Sequence, residues 1–158
     1  MENTYSNRNH SLNYKKLASQ IKNAGVFILT VLWSYAVFAK LADFEGYLRQ
    51  MSEHPFPANV TLVLTYAVPI FELLSAFLLI LNKHKLGLWI SFLLLIGFTI
   101  YVTLILCQVL PKVPCSCGGF ISKMSWKNHL YLNLYLICLN IFCLYQSTKK
   151  ERRLTSKE

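Results

Sequence analysis

Four long stretches almost free of charge limit what this chain can fold into. No Lys, Arg, Asp or Glu lies between Lys22 and Lys40. Only Glu72 interrupts Ala58 to Leu81, and nothing charged interrupts Leu86 to Pro111 or Asn128 to Thr148. A helix rises about 1.5 Å per residue, so roughly 20 apolar residues cross a hydrocarbon core. All four stretches are long enough, with the first the tightest fit. A water-soluble bundle would show a polar stripe along each helix, whereas Leu86-Gly-Leu-Trp-Ile-Ser-Phe-Leu-Leu-Leu-Ile-Gly-Phe is apolar on every face. Composition agrees: 54% of residues are hydrophobic and 15% charged, against about 25% charged in soluble domains, which excludes disorder. The expected fold is an all-α membrane protein, a four transmembrane helix bundle forming one domain over residues 1–158, with spans at about 22–41, 58–81, 86–110 and 128–147.

The net charge of +9 is unevenly placed. Four spans bring both termini to one side. That side holds Arg8, Lys15, Lys16, Lys22, Lys83, Lys85, Lys149, Lys150, Arg152, Arg153 and Lys157, eleven in all, against Lys40, Arg49, Lys112, Lys123 and Lys127 on the other. The positive-inside rule then predicts cytoplasmic termini in a multi-pass inner-membrane protein, with loops 41–57 and 111–127 on the outer face. About twenty polar residues precede the first apolar run and no small-residue cleavage site follows it, so the first span is expected to be retained. The basic run from Lys149 to Arg153 reads as a headgroup-binding cluster beside a span. No nucleic-acid partner is expected. Tyr14, Leu17 and Ile21 are spaced as a short interfacial helical face.

The chemistry-bearing residues concentrate in Pro111-Lys-Val-Pro-Cys-Ser-Cys-Gly-Gly-Phe. On an oxidising outer face, Cys115 and Cys117 read as a dithiol/disulfide pair. A bridge across one residue distorts the backbone, because bridged Cα atoms prefer about 5.5–6 Å, and strained bridges exchange readily. A static bridge bracing the loop is the plainer alternative. Cys115, Cys117, His129 and Met124 could also form a soft-ion set of the Cu(I) type, but a poor zinc set, and no metal is expected at the site. Cys107 lies near the outer end of the third span, either to resolve a mixed disulfide or as a small hydrophobe. Cys138 and Cys143, five apart, do not share a helix face and read as packing residues.

Glu72 is the one acid within an apolar run. An intramembrane carboxylate is costly enough to suggest function: relaying protons, binding a quinone oxygen, or serving as a structural hydrogen-bonder. Its expected company is Ser91, Thr99 or Asn140 on other spans. Pro69 should kink its helix or free a carbonyl nearby. Asp43 follows Lys40 by three residues, a spacing that permits a same-face ion pair. Trp126 and His129 open the fourth span, Trp126 as an interfacial anchor and His129 either as an interfacial residue or as a proton partner that lowers a nearby thiol pKa. Gly87 and Ser91, four apart, suit close helix packing.

Taken together, Tyr35-Ala-Val-Phe-Ala-Lys-Leu-Ala-Asp-Phe, Pro69-Ile-Phe-Glu-Leu, Phe98-Thr-Ile-Tyr, Pro114-Cys-Ser-Cys-Gly-Gly and Met124-Ser-Trp-Lys-Asn-His resemble the MauE branch of the DoxX-like membrane proteins, from about Val26 to Phe142. The resemblance implies a redox-associated helper of the inner membrane. Such a helper would support disulfide formation or maturation of an extracytoplasmic enzyme of the methylamine dehydrogenase type. It also implies Cys115, Cys117, Trp126, His129 and Glu72 as site residues and a thiol/disulfide or dehydrogenase partner. Two alternatives stay open: a non-enzymatic assembly scaffold, and a DoxX-like electron-transfer subunit using a quinone as cofactor.

Overall fold

The computed structural model describes residues 2–110 and 125–155. Five helices are seen there: α1 (Glu2–Ala42), α2 (Phe44–Ser52), α3 (Ala58–Ile80), α4 (His84–Leu106) and α5 (Trp126–Thr155). Four contain segments long and apolar enough to cross a membrane, at Lys16–Ala42, Ala58–Ile80, His84–Leu106 and Trp126–Lys149. α1 packs on α3 and α5, and α4 packs on the same two, so the helices close a ring in the order α1, α3, α4, α5. This is the four-span bundle expected from the uncharged runs.

Local chemistry sets the helix ends. Asn82, at φ 59°, terminates α3 in the left-handed region, which Asn tolerates better than most residues. The Lys83 N–H then donates back to the Leu78 carbonyl at 2.9 Å. Gln108 takes the same φ of 59° after α4. The N–H groups of Val109 and Leu110 fold back onto the Leu104 carbonyl at 3.0 and 3.3 Å, so the third span stops at Leu106 rather than near residue 110. The Ser125 hydroxyl accepts from the Asn128 N–H at 3.3 Å, an N-cap that starts α5 at Trp126, two residues earlier than expected.

The outer loop 41–57 is not all loop. Asp43 caps α2 by accepting from the Gly46 N–H at 3.0 Å, and a Cβ on Gly46 would collide with that carboxylate, so the cap demands glycine there.

The bundle is apolar outside and partly polar inside. Phe27, Phe38, Leu93 and Tyr131 are exposed, whereas Lys40, Glu72, Ser75, Ser91, His129, Asn133 and Asn140 are buried. Water would reject that arrangement and lipid favours it. Tyr14, Leu17 and Ile21 are exposed on α1. At the end of the bundle where α3 meets α4, the Ser75 hydroxyl donates to the Gly87 carbonyl at 3.1 Å. A Cβ on Gly87 would come within 2.8 Å of Leu79, which shows the close packing expected of this glycine.

Ser91 joins three helices. Its hydroxyl accepts from the Trp33 indole N–H of α1 at 2.8 Å and from the Asn140 amide of α5 at 2.7 Å. Ser91→Ala leaves both buried donors without that acceptor. It should lower stability in lipid by about 1–2 kcal/mol, with Ser91→Thr retaining most of it. Reversible unfolding in bicelles measures this, and equal stability of wild type and Ser91→Ala would contradict it.

Candidate functional site

The centre of the bundle holds an ion pair. Lys40 Nζ donates to both carboxylate oxygens of Glu72 at 2.9 Å, and the two side chains are 2% and 1% exposed. Glu72 lies ~21 Å along α3 from Ala58 and ~12 Å from Ile80, near the middle of a hydrocarbon core. A lone charge there costs at least about 2.5–3.5 kcal/mol, which opposite charges in contact offset. Lys40 has further support from the Ala36 carbonyl at 3.5 Å and from the Tyr47 ring, whose centroid is 5.9 Å away.

This pairing corrects two expectations. Lys40 does not pair with Asp43, whose carboxylate is used as the α2 cap. Glu72 does not draw on Ser91, Thr99 or Asn140. Ser91 and Asn140 bond to each other, and the Thr99 hydroxyl donates to the Leu95 carbonyl of its own helix at 2.6 Å. Lys40 is the residue that sequence reasoning missed, because a lysine at the border of an apolar run reads as a flank. A signal was present. Phe44, Tyr47, Leu48 and Met51 continue an apolar helical spacing beyond it, so the apolar region does not end at Lys40.

Pro69 explains the place of α2. Proline has no N–H to offer the carbonyl four residues earlier, so the Thr65 carbonyl loses its helical partner. The Tyr47 hydroxyl of α2 donates to that carbonyl at 3.0 Å. One tyrosine therefore satisfies the backbone group that Pro69 releases and sets its ring beside Lys40.

Glu72 and His129 come together. Both are buried, and with Trp33, Ala36, Phe98 and Asn133 they line a cavity of about 40 Å³ between the helices. Trp126, on the first turn of α5, makes an edge contact with Tyr101 at 6.4 Å. Cys107 is the exposed C-cap of α4, Cys138 is exposed, and Cys143 is buried with its thiol 3.6 Å from the Lys22 carbonyl. The different exposure of Cys138 and Cys143 agrees with their lying on separate faces. Cys115 and Cys117 lie outside the described residues, as does Met124. No three His, Cys, Asp or Glu side chains gather as metal ligands among the described residues.

A ring of four apolar helices around a buried ion pair defines a multi-pass helical membrane protein. Comparison with known families carries this further. The family model described as methylamine utilisation protein MauE matches residues 18–146, which include all four spans apart from their outermost residues, and the chain belongs to that family. No curated protein and no solved structure matches it.

Removing one partner of the ion pair leaves a buried charge. Lys40→Met or Glu72→Leu alone should therefore cost roughly 3–5 kcal/mol, and the double variant much less than the sum. A double-mutant cycle on unfolding in bicelles checks this, and additive single effects would show that the pair is not coupled.

Proposed function

We propose that this MauE-family chain is an inner-membrane helper that exchanges disulfides with an extracytoplasmic client, using Cys115 and Cys117. The observation that carries the reading is the Cys-Ser-Cys-Gly-Gly motif in a chain of a family named for methylamine utilisation. Eleven basic residues against five support cytoplasmic termini and an outer-facing cysteine loop. The client is an enzyme that needs disulfides to mature, with a dehydrogenase of the methylamine type as the candidate that the family name supplies.

In the exchange, a client thiolate attacks the Cys115–Cys117 bridge and forms a mixed disulfide. The second client thiolate then displaces it, so the client gains one disulfide while Cys115 and Cys117 take up two electrons and two protons. His129, three residues into α5, is the histidine nearest in sequence to receive a thiol proton.

An apolar groove supports a quinone as the electron acceptor. Between α3 and α4 runs a groove of about 500 Å³, with apolar walls that include Leu64, Val68, Phe71 and Leu93, and with His54 and Tyr101 as polar groups. Those walls would hold an isoprenoid chain, and such a group would supply a two-electron acceptor.

Thiol trapping in intact cells tests the reading. Cys115 and Cys117 should be oxidised in untreated cells and reduced after dithiothreitol, and Cys115→Ser or Cys117→Ser should leave the client's thiols unoxidised. Normal client oxidation in both variants would instead make the loop a brace and the protein an assembly scaffold.

A further inference from the structure

We propose that the cavity between Glu72, His129 and Asn133 holds water at membrane depth and passes protons between Glu72 and the end of the bundle at which α5 begins. This goes beyond the disulfide reading and does not depend on it.

The cavity, at about 40 Å³, has room for a water molecule. It also has the polar partners that a buried water needs. The Asn133 side chain is 4% exposed, and its amide Nδ2 meets no hydrogen-bond acceptor among the described residues. A buried amide in that state is costly, and a water that accepts from Nδ2 removes the cost. The same water can donate to Glu72, whose two carboxylate oxygens have lone pairs beyond those taken by Lys40. The imidazole of His129 lines the same space and is the third polar partner.

Position gives the cavity a direction. His129 lies ~4.5 Å from the start of α5 and lines the cavity together with Glu72, so a route from that end of the bundle to the buried carboxylate runs over His129. An imidazole can take a proton on one nitrogen and release one from the other, and the water can carry it to the carboxylate.

Protonating Glu72 would strip Lys40 of its counter-charge, yet Lys40 keeps the Ala36 carbonyl and the Tyr47 ring. These contacts let the ammonium remain in place while the acid turns neutral. Among the described residues, the titratable groups around Glu72 are Lys40 from α1, with Tyr47 of α2 behind it, and His129 from α5. α4 contributes only the apolar Leu95 and Phe98.

In the full chain reconstituted in lipid vesicles, water-to-amide NMR transfer should reach the Nδ2 protons of the Asn133 side chain. Protection of that amide from water would overturn the hydrated site. In the same vesicles, acidification should bring up an infrared band of a protonated carboxyl that Glu72→Gln abolishes. His129→Gln keeps hydrogen-bonding capacity but does not ionise, and it should slow the rise of that band by at least about tenfold. An unchanged rate, or no such band while the helices remain folded by circular dichroism, would overturn the proton route. No thiol is read in these measurements, so their failure would leave the disulfide reading standing.

Discussion

The rest of the structure is arranged around the contact between Lys40 and Glu72. Either charge alone is costly at that depth, so each specifies the other's position. The pair locks α1 to α3, with Lys40 near the end of one helix and Glu72 well inside the other. It follows that α1 sits deep relative to α3, and that the chain after Lys40 still runs against the bundle. α2 occupies that place. Its Tyr47 closes over the lysine and takes the carbonyl that Pro69 leaves without a helical partner.

Polar contacts in the bundle fall into two groups. Trp33, Ser91 and Asn140 form a hydrogen-bonded junction of three helices, and Ser75 reaches the Gly87 carbonyl between α3 and α4. Beside that junction, Glu72, His129 and Asn133 line a space that their side chains do not fill. The first arrangement holds helices together, and the second gathers buried polar groups around a shared cavity. In lipid, where apolar contact alone gives helices little preference for one another, such polar contacts define which faces turn inward.

Much of this fold could be read from the chain, because a bilayer imposes a length rule that uncharged runs either meet or fail. Each run from the one after Lys22 to the one ending at Thr148 became a helix. The helix ends were less legible. Gln108 shortens the third span through a backbone conformation that composition does not reveal, and Ser125 lengthens the fourth by capping it. α2 was hidden for a different reason: its nine residues are too few for a membrane-length pattern, although Asp43 followed by Glu45 and a spaced apolar set is a helix-start signal. Within the site, Glu72 stood out as a lone acid and His129 by its place at the start of a span. Lys40 and Asn133 did not, since a lysine beside an apolar run usually snorkels to the interface and an asparagine among leucines has no fixed meaning until its neighbours are known.

Placement of the ion pair at membrane depth is the claim on which the register of α1, the role of α2 and the polar cavity all depend. Rotational-echo NMR on protein labelled with ¹⁵N at lysine Nζ and ¹³C at the glutamate carboxyl, embedded in lipid bilayers, measures the contact directly. A strong dipolar coupling that corresponds to the 2.9 Å nitrogen–oxygen contacts, and that disappears in Glu72→Gln protein, is the predicted result. Absence of any such coupling in folded, bilayer-embedded protein would contradict the account.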